Sequence, residues 1–417
     1  YTKKRTGKGI CTIYFLYGGK SDGRFASDGR EKAFKPFPMD RSSIKDDWSF
    51  EVMEKARISS TQLFLLLSGF LFGSTVILAP AQGAKNDAWL AMLLGGAGGT
   101  LLMWVYAAIA LLNPSKTLVD ILKEKLGKVA GNIFAVLYTW YFIHLASLVL
   151  RDFGEFICTA TFPETPMVVV IGLFAVILVY AINSGIEVIG RLSELLVPVI
   201  PLIAVIISLS LITVHDFTAF LPILGNGMTP VLNAAFSFIT FPFGETVAFL
   251  MLFPHVNKKE KLKKVVLLSA AISILLGIIL FFRDISVLGS DLMAHSTFIP
   301  HLTSLLIPGF NVEPLVDINL LIGGGVKISV CIYAAAKALS QIAGIGDYRK
   351  LTGSISTFCV VLSIWEYKNV LELFDWAEKV WPYYSIPFQI IVPLLLLLLS
   401  LREKSKLSNA GTESLKQ

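Results

Sequence analysis

From Ile58 onward the chain is a succession of ten apolar segments, each long enough to cross a lipid bilayer. Their cores run over residues 61–84, 88–112, 129–151, 166–183, 190–213, 231–254, 264–287, 315–341, 353–371 and 382–401. Hydrocarbon offers backbone N–H and C=O groups no hydrogen bonds, so only helices or a closed barrel can span it. Continuous apolar runs of this length, without period-two alternation, specify helices. With 54% hydrophobic and 16% charged residues, the 417-residue composition suits a polytopic helical membrane protein and excludes a water-soluble globule. The net charge of +6 is spread over short basic clusters between apolar segments, which points to loop anchors beside lipid rather than nucleic acid. The four cysteines (Cys11, Cys158, Cys331, Cys359) have no CxxC or metal-ligand spacing, so neither a metal site nor a cofactor is expected. No HExxH, GxSxG or P-loop pattern occurs, and the reading is of a binding protein and not an enzyme.

Three regions follow. Residues 1–52 form a polar, basic, glycine-rich tail; the chain opens on Tyr1, and the natural start is expected at Met53, directly before the first apolar segment. Residues 53–403 form the ten-span domain, and 404–417 a cytoplasmic tail. With the N-terminus inside, the internal loops carry twelve Lys and Arg between the spans: Lys116, Lys123, Lys125, Lys128, Arg191, Lys258, Lys259, Lys261, Lys263, Lys264, Arg349 and Lys350. The external side carries five, at Lys85, Arg151, Arg283, Lys368 and Lys379. This asymmetry places both termini in the cytoplasm. Ser115 to Lys128 reads as an amphipathic interfacial helix, and the loop from about Gly289 to Glu313 as the longest external connection, with short helical pieces.

Segment six contains Phe241-Pro242-Phe243-Gly244-Glu245. Pro242 removes a backbone donor and Gly244 lowers helix propensity, so the helix is expected to break at membrane depth. The freed backbone groups must then line a protein-buried or water-filled cavity. Phe72-Gly73-Ser74-Thr75-Val76 in segment one matches Phe243-Gly244-Glu245-Thr246-Val247 in segment six at four of five positions. The two copies lie five spans apart and therefore point in opposite directions across the membrane. Paired glycine-interrupted segments in two halves indicate an inverted-repeat transporter fold, with its binding site at the breaks. Half-helix N-termini suit a carboxylate and unwound carbonyls suit a cation, so a small zwitterion such as an amino acid is the expected ligand. Its carboxylate is placed near Gly73, Ser74 and Thr75 and its amine near Phe241, Phe243 and Glu245, with Pro242, Gly244 and Thr246 completing the segment-six side of the site.

Single residues keep more than one reading. Glu245 is an amine ligand, a proton-coupling carboxyl or a strut between helices one and six. Lys327, after Gly323-Gly324-Gly325 in segment eight, is a fixed positive charge in place of a coupling cation, or a structural partner for a carboxylate. Tyr138 and Tyr141 share a helix face and either gate the pocket or build aromatic core, while His144 reads as a hydrogen-bonded core histidine. Gly95 and Gly99 have the small-xxx-small spacing of a close helix contact.

Four stretches together resemble the B subunit of spore germinant receptors: Ile58-Ser59-Ser60-Thr61-Gln62-Leu63-Phe64, the break at Gly73-Ser74, Phe241 to Glu245, and the Lys327-to-Ala335 run KISVCIYAA. That spore germination permease family is a branch of the amino acid–polyamine–organocation superfamily, and the likeness covers Met53 to about Glu403. It implies an all-α integral membrane protein with a LeuT-like 5+5 inverted repeat and broken helices 1 and 6. It also implies the spore inner membrane, partner A and C subunits, and nutrient sensing, commonly of an amino acid, in place of transport. A proton-coupled amino-acid transporter of the same fold is the alternative.

Overall fold

The computed structural model describes residues 57–73, 81–307 and 312–414. The polar tail with its expected start at Met53, and Ser74 and Thr75 of the segment-one motif, lie outside the described residues.

The described chain is helical almost throughout. α1 (Ser60–Phe72) opens with a reciprocal cap: Gln62 N–H donates to Ser59 Oγ at 3.1 Å and Ser59 N–H to Gln62 Oε1 at 2.9 Å. α2 (Ala88–Leu112) follows, then α3 (Leu118–Leu126), capped in the same manner by Thr117 and Asp120. α3 differs from an interfacial helix in one respect, because Leu118, Val119, Ile121 and Leu122 are buried in the protein instead of facing lipid. α4 (Lys128–Ala160) is longer than its apolar core predicts. It is followed by α5 (Met167–Asn183), α6 (Ile186–Leu196), α7 (Val199–Ser210) and α8 (Met228–Phe238). α9 (Leu262–Ala294) runs past the expected loop start, with a kink at Gly289 where φ is +74°. A conformation of that sign suits glycine. α10 (Ile299–Leu305) is the short helical piece expected in the long connection. α11 (Glu313–Ala343), α12 (Arg349–Trp365), α13 (Val370–Lys379), α14 (Trp381–Tyr384) and α15 (Val392–Ser414) complete the chain.

Among the described residues, seven helical stretches are long and apolar enough to cross a membrane, and α1 and α5 are shorter apolar helices. α12 covers the ninth segment with 17 residues. α4 and α11 pack along each other at the centre, with α1 against α11 and α2 against α8 and α9. Glycines set the close approaches. A Cβ on Gly73 would lie 2.5 Å from the Gly323 carbonyl oxygen, and one on Gly95 2.5 Å from that of Ala235. One on Gly99 would lie 2.4 Å from the Phe243 ring. The Gly95–Gly99 contact is therefore made inside the fold, against α8 and the broken stretch after it.

Two arginines counted with the external loops belong to helices instead. Arg151 on α4 and Arg283 on α9 are each 4% exposed and pair with Glu155 at 2.7 Å and Asp284 at 2.6 Å. Long helices carry them inside, where a charge is tolerated by pairing and hydrogen bonding.

Candidate binding cavity

The break in segment six is where the sequence places it. α8 ends at Phe238, a wide π turn covers Ile239–Phe243, and tight 3-10 turns run over Gly244–Met251. Phe241 takes an extended conformation (φ −133°, ψ 117°) directly before Pro242, as proline demands of its predecessor. The carbonyls freed by the break are met by other helices. Gln389 Nε2 donates to Thr240 O at 2.9 Å, and the Tyr106 hydroxyl lies 3.1 Å from Gly244 O and 2.7 Å from Gln389 O. Thr246 Oγ1 donates to Phe243 O at 2.6 Å. Side chains thus satisfy the carbonyls of Thr240, Phe243 and Gly244.

Glu245 follows the break and is 1% exposed. Its Oε2 lies 2.5 Å from Nζ of Lys327, which is itself fully buried on α11. The ammonium also sits over the Phe241 ring at 4.4 Å and within 5.4 Å of the Phe70 ring, so the pair is embedded in aromatic surface. The glycine contact makes room for it, since a Cβ on Gly73 would come within 2.9 Å of Lys327 Cβ. The two intramembrane charges found separately in the sequence neutralise each other, as the carboxylate-partner reading of Lys327 describes.

A cavity of about 510 Å³ starts at Phe241 and Glu245. Its walls are Leu145, Leu148, Val149 and Asp152 of α4, Ser237 of α8, Leu373, Phe374 and Trp376 of α13, and Trp381 of α14. Gln82, Gly83 and Lys85, with His295, Ser296 and Glu378, form its outer part, where Gly83, Lys85, His295 and Glu378 are exposed. The volume lies in the range of small-molecule sites, and the lining is mainly apolar with a few convergent polar groups.

Not every residue expected at the site reaches this cavity. Phe241 and Glu245 line it. Pro242, Phe243, Gly244 and Thr246 are buried behind them in the helix–helix contacts. Gly73 packs on Gly323. Tyr138 turns its hydroxyl to Phe388 O at 2.6 Å, and Tyr141 stacks on Phe388 at 4.7 Å while accepting from Gln389 Nε2 at 2.8 Å. Both tyrosines build aromatic core, and His144 pairs with Glu366 at 3.2 Å. Asp152 lies one residue beyond the apolar core of segment three, which ends at Arg151, and so falls outside the expected site. The signal was present: residues 145, 148, 149 and 152 follow the i, i+3, i+4, i+7 pattern of one helix face.

These features define a class: a helical membrane protein with a helix break beside a carboxylate-bearing cavity. Solved structures agree on the fold. MhsT in complex with L-phenylalanine superposes with a TM-score of 0.59 at 13% identity, covering 83% of this chain and 99% of that one. Mhp1, a nucleobase-cation-symport-1 family transporter in a closed conformation with bromovinylhydantoin bound, gives 0.57 at 12% identity, covering 80% and 79%. Within the class, the family model described as spore germination protein matches residues 57–370, and the chain belongs to that family, the spore germination permeases. It is 35% identical over 374 residues to spore germination protein KB of Bacillus subtilis (strain 168), covering 85% of this chain and 98% of that protein. It is also 23% identical over 347 residues to the putative spore germination protein YfkT of the same organism, covering 79% and 94%. The expected kinship with B-type germinant receptor subunits holds.

Proposed function

We propose that this chain recognises a small amino-acid-like germinant in the cavity beside the segment-six break and reports its arrival to partner subunits. The observation that carries the reading is the cavity itself, a mainly apolar chamber of about 510 Å³ with Phe241, Phe374, Trp376 and Trp381 in its walls, ending on Phe241 and Glu245. Its size suits one amino acid with room for ordered water. The ligand sits at the inner end against Phe241 and Glu245, and the segment-one motif Gly73-Ser74-Thr75 is proposed to receive its carboxylate. Lys327 holds a fixed positive charge beside the site. In a sodium-coupled transporter that position would suit a mobile cation, and a tethered ammonium there fits a protein that binds without carrying ion and substrate together. Family kinship supports assembly with A-type and C-type subunits in the spore inner membrane, with both termini of this chain on the cytoplasmic side.

The test is deletion in the parent spore-former, with germination of the spores and amino-acid uptake by vegetative cells scored separately. Loss of germination toward at least one amino acid, with uptake intact, is the expected result. Lost uptake with normal germination across the amino-acid panel would replace the reading with that of a transporter.

A further inference from the structure

Resting on that reading, we infer that the ligand's ammonium group is received by Asp152 on α4 and not by Glu245. Asp152 lines the cavity and is 3% exposed, and its buried Oδ1 accepts no hydrogen bond. The neighbouring cations are committed elsewhere. Arg151 NH1 donates to Ser363 O at 2.9 Å and Ile364 O at 3.2 Å, and its NH2 pairs with Glu155 at 2.7 Å. Lys327 faces Glu245 at 2.5 Å. At the inner end, the Glu245 and Lys327 charges therefore cancel and the Asp152 carboxylate remains unmatched. A buried carboxylate with no partner is strongly disfavoured in a low-dielectric site, and a ligand cation relieves that.

The walls identify the kind of cation. Phe241, Phe374, Trp376 and Trp381 surround the space and, with Leu145, Leu148 and Val149, offer ring faces and aliphatic surface instead of a cage of oxygens. Ring faces attract organic ammonium groups, whereas sodium or calcium requires several oxygen ligands. Among the described residues no group of three or more His, Cys, Asp or Glu side chains is placed to hold a metal ion. The ligand class is a primary ammonium on an apolar body.

The experiment uses the purified full chain in detergent and a thermal-shift panel of the twenty amino acids with their N-acetyl and amide derivatives. The wild type is expected to be stabilised by at least one amino acid and its amide, and not by the N-acetyl form. Asp152→Asn is expected to weaken that stabilisation at least tenfold in half-effective concentration, while Glu245→Gln combined with Lys327→Met weakens it less. Should the asparagine variant not fold, Asp152→Ser repeats the measurement. Unchanged stabilisation of either Asp152 variant by the same amino acid overturns the assignment and leaves the receptor reading standing. Stabilisation by sodium chloride that needs no amine, and is lost in the Asp152 variant, also overturns it. Absence of any response of the wild type to the amine panel overturns both.

Discussion

At the residue scale, the decisive feature is that Glu245 and Lys327 meet. Each was visible in the sequence as an ionisable group at membrane depth, which demands a partner or a function. That they partner each other was not visible, because the pairing depends on how α11 crosses the end of α1 and the broken helix. A fully buried pair need not add net stability, but removing one member leaves the other uncompensated at a cost of about 3–5 kcal/mol. Glu245→Gln or Lys327→Met alone is therefore expected to lower the thermal midpoint sharply, and the double variant to recover most of the loss. Additive losses in a double-mutant cycle would show that the two side chains act apart. Asp152 was legible only through helix-face periodicity, for a different reason. It lies where the apolar run ends, and only the full length of α4, through Ala160, brings it into the buried region.

The elements show which parts of the fold were written locally. The spans, the caps at Ser59 and Thr117 and the break at Phe241–Glu245 follow from composition, capping boxes and proline. What fills the break does not. Tyr106 on α2 and Gln389 beside α15 are ordinary polar residues in apolar runs, yet they serve the carbonyls of Thr240 and Gly244. Tyr106→Phe is expected to cost about 1–3 kcal/mol, since it strips a buried hydroxyl from two acceptors. Chemical denaturation in mixed micelles measures it, and a change below about 0.5 kcal/mol would mean that the Gly244 carbonyl finds another donor. Gly73 gives a sharper test of the crossing. Its Cβ would lie 2.5 Å from backbone on α11, so Gly73→Ala must push α1 and α11 apart. Overpacking of this kind costs about 1–3 kcal/mol, and Gly324→Ala, whose nearest neighbour would be at 3.7 Å, should be far milder. Equal effects of the two substitutions would contradict the crossing geometry.

Over the whole molecule, the cavity opens among the described residues beside the turn before α2 and the ends of α9 and α13. Its exposed rim is formed by Gly83, Lys85, His295 and Glu378. The start of α1 is tied to the stretch that follows the broken helix. Ile58 N–H donates to His255 O at 2.9 Å and Asn257 N–H to Ile58 O at 3.0 Å, and Tyr333 Oη lies 3.1 Å from His255 Nε2. Lys123 reaches Gln341 O at 3.0 Å, and Lys263 lies 4.3 Å over the Trp104 ring. The charge asymmetry leads to the expectation that the basic loops near these contacts lie on the cytoplasmic side. That expectation puts the rim on the external side, and cysteine labelling tests it. In a background with Cys11 and Cys158 replaced by serine, Glu378→Cys at the rim should react with a membrane-impermeant maleimide added to intact protoplasts expressing the chain. Lys350→Cys, exposed after α11, should react only once the membrane is permeabilised. The remaining thiols, Cys331 and Cys359, are buried and should stay unlabelled in both conditions. The opposite order of labelling would invert the molecule in the membrane and turn the cavity toward the cytoplasm, where a subunit that senses external nutrient could not use it.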